Sequence, residues 1–526
     1  MSPATPARLR AVLDASVPAA RHDAGRHEYD GRPQDLSEAG VRSALRGLGA
    51  ACPGATRPAP SADPDHTVHP LDPLDEATLD AFEQALQLRF GELAMHRRDP
   101  YLHIDNLDLS GYEHDYAPSD ERARARRAHL DAWPDLVAVA VATLDQVPAE
   151  QARAALPAVE GLRHQLGHAG QAADRDRRAA DALSRLEEHL RETGGADRGS
   201  PVLGTDGLAR MLAATEGTEV DLESLATRAD AERSRLRTLL EEGCRRIDPG
   251  GAVATTLHAL DDDHPTADGL LAATVEAVEK VVDWSEEAQL VPGRSVTCRV
   301  GLLPESHGHQ VATMTTAAPE EPERPGCFRV RRPPAQWSAR DRDAWLRTYS
   351  RHQLLNIAVH EVVPGHLAHR RALRQVPSAV LRSLQSYATS EGWAHYCEEM
   401  ALEAGFGDGD PRHTVAVARD ALLRLTRLAC VIGLHTGELT RAQAAERFRT
   451  EAYSPPALAA QQATRCLLDP QAGDYARGKF AILDLREQAR QRWGAGFSLP
   501  RFHTALLGLG APPLGLLSAL LGAEKR

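Results

Sequence analysis

The sequence predicts a mainly helical protein with a small β-sheet, an α+β fold, and three observations along its 526 residues support this. Apolar residues recur at helical spacing between about residues 75 and 289, as at Leu79, Phe82 and Leu86. Short segments rich in β-branched residues follow. From about residue 340 the helical pattern returns until the end of the chain. A chain of this length can bury a large core, and we expect two or three lobes.

The first 70 residues differ in composition from the rest. They are rich in Ala, Pro, Gly, Asp and Arg, and the segment Pro53–Pro60 resembles a linker. We therefore expect partial disorder in residues 1–70. The helical periodicity that follows predicts a helical lobe in residues 71–290.

Three short segments are typical of β-strands. They are Ser295–Val300, Val311–Thr316 and Cys327–Arg331, which contain β-branched residues and have Pro- and Gly-rich connections. They precede the helical run that ends near His360. We expect them to form a small sheet beside that helix.

The stretch from His360 to His366 contains two imidazoles and a carboxylate, that of Glu361. Zinc hydrolases use neutral imidazoles to hold the ion and a nearby carboxylate to accept a proton from water. On a regular helix, residues six apart point about 120° away from each other. The two histidines can therefore share a metal only if the helix breaks between them, and Pro364 and Gly365 supply that break.

A second segment supplies a third ligand. Glu391 stands 25 positions after His366, near the start of another helical run, and zinc peptidases of the thermolysin type take a glutamate from a downstream helix. His360, His366 and Glu391 form a catalytic zinc donor set with one position left for water. Glu398 lies seven residues further on the same helix face, where it would orient a ligand. Residues 291–526 are thus predicted to form a metal-binding catalytic region.

The pairing of H-E-x-x-P-G-H with a following E-G-W-A-x-Y resembles the bacterial domain-of-unknown-function family 885, which is placed among the gluzincin-like metallopeptidases. The specific similarity covers about residues 290–520, with weaker helical similarity before that. The resemblance implies a gluzincin-like architecture with a helical N-terminal lobe. It also implies a small sheet over the active-site helix, with an edge strand that pairs with the substrate backbone.

Two further segments, Arg427–His435 and Arg465–Gly478, are similar to motifs of the same family. They depart from its pattern at Val431, Cys466 and Ala472, where the family usually has Asp, Tyr and Gln. These departures leave room for a specialised substrate.

Roles for individual residues follow from this chemistry and from the resemblance. Glu361, next to a ligand, is the expected general base that then protonates the leaving group. The resemblance makes Tyr475 the candidate donor to the oxyanion, with His435 second. Arg465 would bind a substrate carboxylate through its planar fork. Each of the last three has a structural alternative: a buried hydrogen-bonded tyrosine, a packing histidine or a salt-bridged arginine.

The predicted function is that of a zinc-dependent hydrolase that cleaves peptide or related amide bonds of small substrates. One alternative is a metal-dependent tailoring enzyme acting on a non-peptide biosynthetic intermediate. Another is a non-catalytic binding protein that retains the fold. The intact Glu361 favours catalysis, because binding does not require a general base. The sequence identifies neither the substrate nor the oligomeric state.

The composition of the chain bears on its binding partners and on its cellular compartment. The formal net charge of −13 argues against a nucleic-acid partner. No run of 18 or more apolar residues predicts a membrane span, and no N-terminal signal is evident. Seven scattered cysteines without a C-x-x-C pair fit a reducing compartment, so we expect a cytoplasmic location.

Two other histidine pairs are weaker metal candidates. His164 and His168 have the spacing of one helical turn, but Gln165 stands where a catalytic glutamate would be. His307 and His309 lie in a predicted strand connection that could approach the cleft.

Overall fold

A computed structural model describes residues 6–49, 71–166, 174–195, 199–293, 297–303 and 311–522. Within these ranges the chain is mainly helical with one three-stranded sheet, which confirms the predicted α+β class. Pro53–Pro60, His168 and the pair His307 and His309 lie outside the described residues.

Thirteen helices of the described chain precede the sheet. They are α1 (Ala7–Asp14), α2 (Pro18–Asp23), α3 (Glu38–Gly47), α4 (Pro73–Leu86), α5 (Met95–Arg98), α6 (Pro100–Asp105), α7 (Ser119–Thr143), α8 (Ala149–Leu166), α9 (Asp174–Gly194), α10 (Gly204–Glu216), α11 (Leu222–Ile247), α12 (Val253–Asp262) and α13 (Leu270–Ala288).

Helices α1 to α3 fall in the segment whose composition suggested partial disorder. Leu9, Val12 and Leu13 of α1 are almost fully buried, and they share a core cluster with Leu79 of α4. Ser37 caps α3 by accepting a hydrogen bond from the backbone of Gly40. Residues 6–49 are therefore helical and packed on the rest of the molecule.

The helices between residues 71 and 290 contribute to several hydrophobic clusters. Helices α7, α8 and α9 bury a cluster around Trp133. Helices α10 and α11 bury Leu212 and Leu240 in a second cluster that continues into the C-terminal region. Helix α13 buries Val281 in a third cluster, together with the sheet. The region assigned to one helical lobe thus shares its cores with the region assigned to catalysis.

The sheet contains β1 (Cys298–Leu302), β2 (Ala312–Thr315) and β3 (Gly326–Val330) in the order β1-β3-β2. Strand β3 pairs parallel to β1 and antiparallel to β2. Its buried residues alternate with partly exposed ones, and Phe328 packs in the same cluster as Val359 of the helix that carries His360. The three strands and their position are as predicted, although residues 295 and 296 lie outside the described chain.

Eleven helices of the described chain follow the sheet. They are α14 (Ala339–Leu346), α15 (Arg351–Glu361), α16 (His366–Leu373), α17 (Ala379–Ser383), α18 (Tyr387–Glu403), α19 (Pro411–Thr436), α20 (Arg441–Glu451), α21 (Pro456–Leu468), α22 (Asp474–Trp493), α23 (Leu499–Leu507) and α24 (Ala519–Gly522).

Helices α18 and α22 approach each other closely at two glycines. A Cβ atom on Gly392 would lie 2.4 Å from the Cα of Gly478, so neither position has room for a side chain. The contact lies one residue after Glu391 and three residues after Tyr475. Backbone contact between the helices therefore brings the first turns of α18 and α22 together.

Candidate metal centre

The predicted helix break lies between the two motif histidines. Helix α15 ends at Glu361, the Val363-Pro364 peptide bond is cis, and α16 begins at His366. A Cβ atom on Gly365 would lie 1.8 Å from the carbonyl oxygen of His360, so only glycine fits there. The indole nitrogen of Trp393 donates a hydrogen bond to the Pro364 carbonyl at 3.0 Å and holds the break from the other side.

The break brings His360 and His366 onto the same carboxylate. The Nε2 atoms of His360 and His366 each lie 3.4 Å from Oε2 of Glu391. The donor atoms of this trio all lie within 4.8 Å of one another. Tetrahedral zinc with bonds of 2.0–2.1 Å places neighbouring donor atoms about 3.3 Å apart. The spacing of the three side chains therefore fits a zinc ion.

One oxygen in this group has no hydrogen-bond partner among the described residues. Oε2 of Glu391 is buried and forms no hydrogen bond with any described residue. Buried polar atoms are almost always satisfied, so an orphaned carboxylate oxygen between two imidazoles points to a cation. Burial would raise the pKa of Glu391, but His366 and His360 hold it far below its ordinary value. The carboxylate is thus ionised at neutral pH and can act as a ligand.

A buried network orients His360 from behind. Its Nδ1 atom lies 2.7 Å from Oε1 of Glu398, to which it donates a hydrogen bond. The guanidinium of Arg424 contacts both oxygens of Glu398, at 2.9 and 3.0 Å. A proton held on Nδ1 leaves Nε2 free to coordinate a metal. The structure thus places Glu398 in the orienting position that its spacing predicts.

The same network sets the charge state of the metal-free site. Burial acts to lower the pKa of His360, but Glu391 and Glu398 outweigh it and raise that pKa to about 9. Burial also acts to raise the pKa of Glu398, yet Arg424 and His360 hold it well below the ordinary value. His360 therefore carries a second proton, on Nε2, at neutral pH, and a cation bound at Nε2 would have to displace it.

Sequence reasoning missed three members of the network. Arg424 and Asp420 lie on α19, and Asn356 lies on α15, where its Nδ2 donates to Asp420 at 2.7 Å. Their sequence signal is weak: Asn356 stands one helical turn before His360, and Asp420 stands one turn before Arg424. Only the packing of α15 against α19 brings them together.

Tyr475 lies beside the candidate metal ligands. Its ring centroid is 6.3 Å from that of His360, and its hydroxyl accepts a hydrogen bond of 3.0 Å from Tyr387. Burial and the charge of Glu391 raise the pKa of Tyr475, so the phenol keeps its proton. Tyr387 was missed from the sequence, although it stands one helical turn before Glu391.

Two arginines form a positive patch next to Tyr475. The guanidinium carbons of Arg427 and Arg465 lie 5.4 and 5.9 Å from the centroid of its ring. Arg465 is partly exposed, and its Nε atom lies 3.6 Å from Oδ2 of Asp469. Arg427 is buried and donates to the neutral Gln462 at 2.7 Å. In the part of the chain that the structure describes, no carboxylate pairs with Arg427.

Glu361 is the last residue of α15 and directly follows a candidate ligand. Its side chain is half-buried, and it forms no hydrogen bond or ion pair with the described residues. Its carboxylate is therefore available to a reacting group.

His435 lies away from the centre. It is fully buried near the end of α19, eleven residues and about 16 Å of helix beyond Arg424. Its Nδ1 accepts a hydrogen bond of 3.2 Å from the backbone of Leu203, and burial lowers its pKa to about 4. Among the described residues, no hydrogen bond or ion pair joins His435 to the candidate metal ligands, so its geometry is that of a neutral packing histidine.

The departures from the family pattern are buried packing positions. Val431 and Cys466 share a core cluster, and Ala472 belongs to it too. The Sγ atom of Cys466 lies 3.6 Å from the carbonyl oxygen of Arg427. These residues therefore lie behind the arginine patch.

The fold and the site define a mainly helical α+β protein with a His, His, Glu cluster where α15, α16 and α18 meet. A family model described as "bacterial protein of unknown function (DUF885)" matches residues 18–521, so the chain belongs to this family. No curated protein matches the chain. No helix of the described residues is long and apolar enough to cross a membrane.

Two solved structures are similar to the chain over nearly its whole length. One is a candidate lipoprotein of unknown function from Shewanella oneidensis, with a TM-score of 0.76, 19% identity and 98% of each chain covered. The other is a candidate lipoprotein from Colwellia psychrerythraea, with a TM-score of 0.76, 17% identity, and 98% of this chain and 97% of that chain covered. At these identities the likeness concerns the fold alone.

Proposed function

We propose that the protein is a zinc-dependent hydrolase that cleaves peptide or related amide bonds of small substrates. The observation that carries the proposal is the orphaned Oε2 atom of Glu391, which lies 3.4 Å from both His360 Nε2 and His366 Nε2. Two imidazoles and one carboxylate are a donor set of catalytic zinc. A zinc ion bound there would polarise the substrate carbonyl and lower the pKa of water.

Glu361 is the group proposed to move the proton. Its carboxylate has no competing partner among the described residues, and it adjoins the ligand His360 on the same helix. It would accept a proton from the attacking water and deliver it to the leaving nitrogen. A protein that only bound its ligand would have no need of this unpaired carboxylate.

Tyr475 is proposed to stabilise the oxyanion. Its hydroxyl accepts a hydrogen bond from Tyr387, which leaves its own proton free to donate. The raised pKa of Tyr475 keeps that proton in place at neutral pH, and burial is the main cause. A donor aimed at developing negative charge is often the largest catalytic contribution. His435 takes no part in this scheme.

The arginine patch supports a substrate with a free carboxylate. Arg465 is partly exposed beside Tyr387 and Tyr475, and the buried Arg427 adds a second positive charge. Planar guanidinium groups suit carboxylates. Peptides with a free carboxyl end and N-acyl amino acids are therefore the substrates to test first. The gluzincin-like architecture and the pairing of a sheet edge with the substrate backbone belong to the same proposal.

The alternative of a tailoring enzyme rested on Val431, Cys466 and Ala472. Their burial in the core gives it no specific support. A cytoplasmic location and the lack of nucleic-acid and membrane partners stay predictions.

The test compares two glutamate variants on a panel of short peptides and acyl-amino acids with free or blocked ends. Chelation and zinc restoration identify the metal-dependent activity. We expect Glu361→Gln to bind zinc normally and to lower turnover by about 10² or more, as for a lost general base. Glu403→Gln, on the partly exposed far end of α18, is the control and should leave turnover unchanged. Full zinc-dependent activity in Glu361→Gln would refute the mechanism.

A further inference from the structure

A second group of potential metal ligands lies in the N-terminal region. His22 is the second-last residue of α2. His27 and Asp30 follow a turn at Gly25, which has a φ of +67°. The Nε2 atom of His22 lies 3.7 Å from Oδ1 of Asp30, and Nδ1 of His27 lies 3.4 Å from Oδ2 of the same carboxylate. One donor atom from each of His22, His27 and Asp30 lies within 4.8 Å of the other two. The spacing is close to the 3.4 Å found at the candidate metal centre.

His27 has the same two-sided environment as His360. Its Nε2 atom lies 2.9 Å from Oε1 of Glu321, in the segment between β2 and β3. Its other ring nitrogen, Nδ1, is buried and has no hydrogen-bond partner in the described part of the chain. One nitrogen is thus fixed by a carboxylate while the other faces the shared space with His22 and Asp30. This is how a metal-bound histidine is commonly oriented.

We propose that His22, His27 and Asp30 bind a second divalent cation of the zinc type, with Glu321 orienting His27. The site uses none of the residues of the proposed hydrolytic centre. Two imidazole nitrogens and one carboxylate oxygen are the donors that zinc prefers, and a fourth position is left for water.

An ion explains the geometry better than charge pairing alone. A histidinium at His27 would donate from Nδ1 to Asp30, yet the 3.4 Å separation leaves that nitrogen without a hydrogen bond. A cation about 2.0–2.1 Å from each donor can bridge separations of 3.4 and 3.7 Å.

The rings are also held in place. His27 stacks on Tyr116 with ring centroids 3.8 Å apart, and His22 packs edge-on against Tyr112 and Tyr116. Ligands fixed before binding lose little conformational entropy when they bind. Ordering these two side chains would therefore cost little free energy when a cation binds.

The cation would tie the N-terminal segment to the catalytic region. The backbone carbonyl of Glu321 accepts a hydrogen bond of 2.6 Å from Arg374, and that of Ala318 accepts another of 2.6 Å. Arg374 directly follows α16, the helix that starts with His366. Binding at His27 would thus brace the segment that holds the far end of α16.

Zinc stoichiometry tests the proposal without any substrate. The apo protein is titrated with zinc ions alone, and bound metal is measured after removal of the excess. We expect two ions per chain for the wild type, one for His27→Ala, one for His366→Ala and none for the double variant. His258→Ala is the control, since His258 faces a single aspartate, Asp262, on an exposed helix.

A second readout uses His366→Ala, where only the new site remains. Zinc should raise its melting temperature, and adding Asp30→Asn should abolish the rise even if His27→Ala folds poorly. A His27→Ala chain with the zinc content of the wild type, or a His366→Ala chain with no zinc and no rise, would overturn the proposal. If only the proposed hydrolytic centre is wrong, the measured zinc content will fall in His27→Ala and stay unchanged in His366→Ala.

Discussion

Glu398→Gln should weaken zinc binding in a way that depends on pH. Glu398 accepts the Nδ1 proton of His360 at 2.7 Å, and Arg424 contacts both of its oxygens. Glutamine offers one acceptor oxygen in place of two and carries no charge. The imidazole of His360 becomes less basic as a ligand. Loss of such an orienting partner typically costs 10- to 100-fold in metal affinity, or about 1.4–2.7 kcal/mol.

Proton competition decides where this loss is visible. Glu391 and Glu398 raise the pKa of His360 to about 9 against the effect of burial, so at pH 7 zinc must displace a bound proton. At two pH units below that pKa, competition from the proton lowers the apparent zinc affinity about a hundredfold. The variant lowers the pKa of His360 and so removes part of this competition. The two proteins should therefore bind zinc similarly near pH 7 and diverge as the pH rises through 9.

The assay is competition for zinc against a chelator of known affinity, at several pH values from 7 to above 9. Glu403→Gln, on the same helix, serves as the control for a changed charge. Removal of one partner of a buried ion pair costs about 3–5 kcal/mol of folding stability. In Glu398→Gln, Arg424 keeps a second carboxylate, since its Nη1 atom lies 3.9 Å from Oδ2 of Asp420, so we expect a loss near the lower figure. Thermal unfolding then verifies that the variant is folded. Equal affinities above pH 9, or a ratio that does not change with pH, would refute the reasoning.

The other predictions concern the helix break and the substrate side of the site. Gly365→Ala should abolish zinc binding, because its Cβ would lie 1.8 Å from a backbone oxygen, while Gly250→Ala, with open space around it, should bind zinc normally. Metal analysis distinguishes the two, and normal zinc content in Gly365→Ala would contradict the model of the break. Tyr475→Phe should keep its zinc and lower turnover by about 10² to 10³, the usual loss for one oxyanion donor. Unchanged turnover would remove Tyr475 from the mechanism. Arg465→Gln should raise KM about tenfold or more for substrates with a free carboxylate and leave blocked ones unaffected. An equal effect on both would assign Arg465 a structural role.

The clustering of His360, His366 and Glu391 was predictable because the signals in the sequence are local. A proline followed directly by glycine favours the end of a helix, and the six-residue spacing of His360 and His366 requires a break between them if they share a metal. The strands were predicted from their β-branched residues. Strand β1 begins at Cys298 and not at Ser295, because Cys298 pairs with Gly326, the first residue of β3. Strand ends depend on a partner that the local sequence does not contain.

The parts that sequence reasoning missed depend on tertiary contacts. Arg424 reaches Glu398 only because α19 packs beside α18 and α15, and polar residues in a long helix are usually solvent-exposed. Helix α1 was hidden by the Pro- and Gly-rich composition around it, although Leu9 and Leu13 lie on one helix face. They become buried through contact with Leu79, far along the chain.

The position of bound zinc tests the central claim most directly. Crystals grown with zinc should show anomalous scattering at the zinc edge between His360, His366 and Glu391, with the ion about 2.0–2.2 Å from each donor atom. Glu391→Gln should lose that signal, because a neutral amide replaces the charged ligand whose Oε2 has no hydrogen-bond partner among the described residues. If zinc-loaded crystals of the wild type show no scattering at these three residues, or show an ion that does not contact Glu391, the proposed metal centre is wrong.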